Sequence, residues 1–413
     1  MSFDLIGFSS LLLVSLVYII IAVQKPHLAN ILLIALVLRV FAIFINNNIL
    51  SFPDSYGDTE KFFIKAIEYS NQSFLNLLSS YPGLGSFVIS WLVAFLFLII
   101  GQSELMTQSI SLFFGVGTVY LGWLIANKIW NKKVANKVGW VTALFPTLIL
   151  YSSLFLREVY IYFFLLLAIN SCIDWVKSKS FGSLFKVIVY FIILVHFHGP
   201  LIMGLIVFLI YAVIENLKKA LIILKDLKIN LNQLLFISLF IISSTIFIMK
   251  GAAVPKIGSL TDIFQKEDNI LDRITAKNLA FNKGGAKFPE WLLPKSNIEV
   301  IYKAPFRVIH FLYAPFIWDI KKPSHFFGIF DSFLYIYLSY LIFSNRKKIF
   351  SDPIFKIIFF ILLTYIIVYG IGVGNFGTGI RHRSKFVMLL ILLAAPLLPK
   401  FTLSKKKNLD LKE

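Results

Sequence analysis

Residues 5–23 read LIGFSSLLLVSLVYIIIAV, without one charged side chain. A helix needs roughly 20 apolar residues to cross the hydrocarbon core of a bilayer, and this run approaches that length. It lacks both a basic leading region and a small-residue cleavage site, so it is expected to remain as a helix rather than be removed as a signal peptide. Similar runs recur near 30–46, 84–100, 106–126, 138–155, 159–175, 186–197, 200–215, 233–249, 303–318, 326–343, 354–372 and 386–398. With 58% hydrophobic and 16% aromatic residues and a mean hydropathy of +0.82, the expected fold is all-α. The whole chain, 1–413, reads as one polytopic integral membrane domain.

The net charge of +19 raises the question of nucleic acid, but its distribution answers it. About half of the lysines sit in four segments between or after apolar runs: NKIWNKKVANK (127–137), ENLKKALIILKDLKINLNQ (215–233), NRKKIFSDPIFK (345–356) and the tail KFTLSKKKNLDLKE (400–413). CIDWVKSKSFGSLFK (172–186) is a weaker fifth case. Positive loops face the cytoplasm, which makes these topology signals and leaves no nucleic-acid partner. The expected orientation is a bacterial inner membrane with the N-terminus outside and the C-terminus cytoplasmic. Parity requires that 84–100 lie in the interface or re-enter. Lys303, Pro305, Arg307, His310 and Pro315 interrupt 303–318, so that run is not expected to span either. About eleven spanning helices follow, with interfacial or re-entrant helices beside them. Residues 47–83 form a first outer loop with an interfacial helix, and 250–325 form a large outer loop.

The same parity places the chemically interesting residues outside. SFPDSYGDTEKFFIKAIEYSNQSF (51–74) carries Asp54 and Asp58 ahead of a helical pattern. Asp58 reads either as the cap of that helix or, like Asp54, as a general base toward a substrate hydroxyl. In YSSLFLREVYIYFF (151–164), Arg157 and Glu158 lie between apolar runs. They either snorkel to the interface or face a cavity. LVHFHGPLIMG (194–204) offers His198, as an interfacial helix end or as a hydrogen-bonding group for a substrate hydroxyl or phosphate. His196 and His198 have no third ligand at recognisable spacing, so no metal site is expected, although a divalent cation stays open. Arg307 stands among aromatic residues and prolines and, like His382, is a candidate for binding the substrate's lipid phosphate or glycan. GNFGTGIRHRSKFVM (374–388) packs Arg381, His382, Arg383 and Lys385 behind three glycines. Glycines allow close backbone approach and arginines offer paired N–H donors, a combination suited to phosphate. If the stretch is extended, Arg381 and Arg383 share a side, while Lys385 is expected only to meet lipid headgroups. The single cysteine, Cys172, lies in an apolar run and excludes disulfides within the chain. No nucleotide-binding fingerprint is present, and no cofactor is expected.

The order of these parts resembles the GT-C superfamily of polytopic glycosyltransferases, which use polyprenyl-phosphate-linked sugars. The segment ALFPTLILYSSLFLRE (143–158) is similar to the helix leading to their second outer acidic residue. Within that group PDSYGD, LRE, HFHG, FLYAPFIW and GNFGTGIRHR together resemble the O-antigen polymerase (Wzy-type) proteins. The resemblance implies a GT-C-like fold and an enzyme that polymerises lipopolysaccharide O-antigen or other surface polysaccharide repeats. Its donor and acceptor would be oligosaccharides on polyprenyl (undecaprenyl) diphosphate. Partners would be membrane lipids and other polysaccharide-assembly membrane proteins. Asp54 or Asp58 would be the base, with Glu158 the second acidic residue. Arg157, Arg381 and Arg383 would bind the lipid diphosphate and His198 would position substrate. The long arginine-rich outer loop of many polymerases is missing. Single-sugar transfer from a polyprenyl monophosphate therefore stays as an alternative, and transport of the lipid-linked glycan is a third reading, from another class.

Overall fold

Asp4 accepts a hydrogen bond from the Gly7 amide at 2.8 Å and caps α1 (Leu5–Gln24). Pro26 starts α2 (Pro26–Asn48), where its missing N–H costs nothing. The two apolar runs thus fold back as a hairpin, with Leu12, Ile20, Phe41 and Phe44 exposed as a lipid-facing surface would require. The computed structural model describes residues 4–223, 238, 285–322 and 325–401. Among them all regular structure is helical apart from one β-bridge between Lys287 and Asn375.

After a distorted turn come α3 (Glu60–Ser70), α4 (Phe74–Ser79) and α5 (Val88–Ile100). Ser90 donates to the Phe62 carbonyl at 2.7 Å, and the Trp91 indole donates to Leu77 O at 2.7 Å, so these three short helices form a unit. The Gly85 amide donates to His196 O at 3.3 Å at one end of α5. At its other end Gly101 lies against Ile6, and Ser103 donates to Asp4 at 2.6 Å. Both ends of α5 therefore stay at the same end of the bundle. At 13 residues, α5 is also shorter than the roughly 20 residues a spanning helix needs.

The chain then runs up and down through α6 (Glu104–Ile129), α7 (Lys132–Leu144) with α8 (Pro146–Ser152), α9 (Glu158–Ser178), α10 (Phe181–Phe197) and α11 (Ile202–Ile223). It resumes with α12 (Asn297–Tyr313), α13 (His325–Ser344), α14 (Arg346–Ser351), α15 (Pro353–Gly372), α16 (Phe376–Ser384) and α17 (Val387–Ala394). Seven helices among the described residues are long and apolar enough to cross a bilayer, or eight if the α7–α8 pair is one span bent by 59°. That is below the eleven expected. The α10 run stops after 17 residues and α17 after 8. Pro146 breaks the 138–155 run, and 233–249 lies outside the described residues. The 251–284 part of the expected outer loop lies outside them too.

Two ends emerge from the contacts. At one, Lys137 donates to Pro396 O at 2.7 Å, Lys177 to Lys128 O at 3.2 Å and Asn345 to Leu393 O at 3.2 Å. The Trp130 ring stacks on Phe355 at 4.5 Å there. The basic loops 127–137, 172–186 and 345–356 thus gather together. The loops carrying Asp58, Arg157, His198 and Arg381 gather at the opposite end.

The helices approach closely where glycine permits it. An added Cβ at Gly115 of α6 would sit 2.3 Å from the Ser152 Cβ of α8. At Gly204 of α11 it would sit 2.0 Å from the Tyr365 hydroxyl, which is buried and anchored by a 2.9 Å bond to Leu201 O. Because that ring has nowhere to swing, Gly204→Ala is expected to destabilise the protein by about 1–3 kcal/mol. A lowered thermal midpoint in detergent would check it, and an unchanged midpoint would contradict it.

Candidate functional site

Six arginines lie among the described residues, and five share one task. A helix leaves its last four carbonyls unpaired, and inside a membrane these cannot turn to water. Arg39, fully buried in α2, donates to Ala143 O at 3.3 Å, a carbonyl beside the Pro146 break. Arg157 donates to Phe197 O at 3.3 Å at the end of α10. Arg307 donates to Leu292 O at 2.9 Å, to Ile371 O at 3.1 Å and to Val373 O at 2.7 Å, closing the end of α15. Arg346 donates to Phe343 O at 2.9 Å near the end of α13. Arg383 donates to Leu312 O at 2.7 Å and Ala314 O at 2.8 Å where α12 stops.

Arg383 also meets Asp331 of α13, at 2.6 Å from Nη2 and 3.0 Å from Nε. Both side chains are sealed from solvent, at 0% and 1% exposed. Thr147 holds the other Asp331 oxygen at 3.0 Å. Arg383 is therefore an internal clamp between α12, α13 and α16. Arg307 and Arg383, expected to grip a phosphate, are instead engaged with the fold. The reason is local conformation. Asn375 caps α16 through a 2.7 Å bond from the Thr378 amide, so the stretch is helical rather than extended. Residues two apart on a helix point about 200° apart, which sends Arg381 and Arg383 to opposite sides.

Arg381 is the exception among the six. Its Nε and Nη2 donate to the two Glu158 oxygens at 2.9 and 3.2 Å, and Nη1 donates to Asp58 at 2.5 Å. No main-chain carbonyl takes any of its donors among the described residues. The Glu158 side chain is fully buried, whereas that of Asp58 is 40% exposed. The Arg381–Asp58 edge thus faces outward and the Arg381–Glu158 edge inward. Asp58 does not cap α3, because its carboxylate is held by Arg381 and Thr59 occupies the cap position.

Around this pair the site closes. Lys385, expected only at the headgroups, is fully buried, 3.5 Å from Glu158 and 2.7 Å from Nδ1 of His382. Arg157 stands 4.0 Å from Glu158 and donates to Ser86 Oγ at 2.6 Å. The His198 and His382 rings lie 5.4 Å apart, and Tyr369 Oη is 3.4 Å from His198 Nδ1. His198, Pro200, Tyr369, Val373 and His382 border a cavity of about 60 Å³. Asp54 sits in a left-handed backbone conformation at φ 72°, with the buried Tyr151 beside its carboxyl. Burial raises the Asp54 pKa above its usual 3.8, against the pull of Arg381 and with help from Glu158 and Asp58. For Arg381, burial would lower the pKa, but Glu158, Asp54 and Asp58 outweigh it and hold the guanidinium firmly charged.

Of the nine residues read from the sequence, the fold brings seven together: Asp54, Asp58, Arg157, Glu158, His198, Arg381 and His382. Arg307 and Arg383 serve the helix ends. Lys385, Tyr151, Tyr369 and Ser86 join the cluster without having been singled out for it. Of these only Lys385 carried a signal, as a third cation in a segment already marked. No three His, Cys, Asp or Glu side chains group to hold a metal ion among the described residues. No protein-family model, curated protein or solved structure matches this chain.

Proposed function

We propose that the protein is a membrane glycosyltransferase acting on polyprenyl-phosphate-linked sugars at the membrane face opposite the basic loops. The observation that carries this reading is Arg381. Alone among the described arginines it turns every donor toward carboxylates, in a cluster that also holds a carboxyl group of raised basicity. A substrate phosphate arriving from the exposed side would take the place of Asp58 on Nη1, while Glu158 keeps the guanidinium oriented. Asp54 would accept the proton of an acceptor hydroxyl, whose oxygen bonds to the anomeric carbon. The bond from that carbon to the phosphate oxygen breaks, and its electron pair leaves with the lipid phosphate beside Arg381. Glu158, sealed beneath three cations, acts as the support of this cluster rather than as a base.

The leading form of the reaction is polymerisation of surface-polysaccharide repeats carried on a polyprenyl diphosphate, on the outer face of a bacterial inner membrane. A second reading, single-sugar transfer from a polyprenyl monophosphate, is favoured by the engagement of Arg383 with Asp331. That contact leaves Arg381, Arg157 and Lys385 as the cations near the donor. Transport of the lipid-linked glycan would call for charged groups in the middle of spanning helices, and the one in α2, Arg39, donates to the Ala143 carbonyl at the helix break.

Deleting the gene and resolving surface polysaccharide by gel separates these readings. Single-repeat products support the polymerase, a polymer lacking one sugar supports the transferase, and loss of all outer glycan supports transport. Complementation with Asp54→Asn is expected to fail with normal protein levels. A base works only when deprotonated, so turnover should fall as pH drops through the Asp54 pKa. Because burial raises that pKa, the acidic limb should lie above the ordinary aspartate value of 3.8. A pH–rate profile in nanodiscs checks it, and wild-type turnover by Asp54→Asn would remove Asp54 from the mechanism.

A further inference from the structure

At the basic end, α7 begins against the electrostatics of a helix. Its first turn carries Lys132 and Lys133 and no acidic residue, although a helix N-terminus favours negative charge. One face of α7 presents Lys133, Asn136, Lys137 and Trp140, spaced three, four and seven residues apart. That face borders a cavity of about 290 Å³ closed on its other side by Lys400 and Phe401. Lys137 donates to Pro396 O at 2.7 Å, which lashes the chain after α17 onto α7 and sets Lys400 and Phe401 across from Lys133. The Asn136 oxygen accepts from the Trp123 indole at 2.8 Å, so its remaining polar group is an amide donor. Among the described residues no carboxylate pairs with Lys133, Lys137 or Lys400 within 4.0 Å.

We propose that the pocket formed by Lys133, Asn136, Lys137, Trp140, Lys400 and Phe401 binds the phosphate headgroup of an anionic membrane lipid. Three ammonium groups around one cavity repel each other unless an anion lies among them. All the polar side-chain groups facing it are donors, the complement of phosphate oxygens. Trp140 and the half-exposed Phe401 ring provide the amphipathic contact that the glycerol and ester region of a lipid would meet. The pocket also sits at the loops that the charge distribution places on the cytoplasmic side, where anionic lipids concentrate. A bound lipid would tie the chain after α17 to α7, and would leave the Arg381 cluster at the other end untouched.

Native mass spectrometry of the full chain, offered phosphatidylglycerol or phosphatidylcholine, tests this. Phosphatidylglycerol is expected to be retained preferentially. Each of Lys133→Gln, Lys137→Gln and Lys400→Gln should weaken retention about fivefold. The Lys400→Gln change lies outside any helix and leaves folding intact, so its result stands even if the helical variants misfold. Equal retention by Lys400→Gln and the parent would overturn the proposal. So would an equal loss in Lys347→Gln, a charge-matched change at the same end outside the pocket. Displacement of the lipid by inorganic phosphate at equal concentration would make this a small-anion site and overturn the lipid assignment.

Discussion

Arg381→Ala is expected to abolish product formation and to lower stability by about 3–5 kcal/mol, the usual consequence of breaking a buried ion pair from one side. Glu158 would keep its negative charge in a fully buried position with only Lys385, at 3.5 Å, and Arg157, at 4.0 Å, to balance it. Asp58, exposed on one side, can turn to solvent and loses less. The two consequences separate by substitution. Arg381→Lys keeps a charge near Glu158 but gives up the planar pair of bonds, so it should recover much of the stability and little of the activity. Thermal midpoints and turnover, measured on the same preparation, read the two effects. Full activity with Arg381→Lys would mean that the guanidinium geometry is not what the reaction needs.

Asp331→Ala is expected to damage folding as much as Arg381→Ala does. It leaves the Arg383 guanidinium, itself fully buried, with main-chain carbonyls and Ser332 but no counter-charge. The loss should again be about 3–5 kcal/mol, and here every part of the pair is internal. Arg383→Ala should fail in the same way, leaving buried Asp331 with Thr147 but no counter-charge and the carbonyls of Leu312 and Ala314 unpaired. The paired change Arg383→Met with Asp331→Leu removes both charges and should recover part of the loss, since a buried pair adds little over well-packed apolar side chains. Yields of folded protein and melting midpoints of the three variants form the test. If Arg383→Ala folded normally but lost substrate binding, Arg383 would return to the site.

The contrast between these two arginines shows where sequence reasoning reached. Nothing in IRHRSK distinguishes Arg381 from Arg383, because both are cations two residues apart in the same polar stretch. Their fates diverge when Asn375 caps a helix there and sends one toward α9 and the other toward α13. Asp331 carries no local signal of its role, since its partner lies 52 positions away. Lys385 was misplaced for the same reason. Its burial follows from packing against Glu158, and no local pattern reports that. Arg307 was visible as a costly charge in an apolar segment, and Arg39 stands in another. Their answer, carbonyls freed at helix ends and at the Pro146 break, required knowing which helix ends stand beside them.

What the sequence determined by itself was set by quantities that accumulate along the chain. Runs of apolar residues dictate helices in a bilayer, because backbone groups have no other partner there. Clusters of lysine in certain loops mark one end of the bundle, and Asp58, Arg157, His198 and Arg381 meet at the other. Asp54, Asp58, Arg157, Glu158, His198, Arg381 and His382 were all legible as costly or unusual groups on that face. Only the tertiary structure decided which charge opposes which. Ion pairs and helix-end contacts depend on distances of a few ångströms between residues far apart in the chain. Helix phase and helix neighbours set those distances, and composition does not.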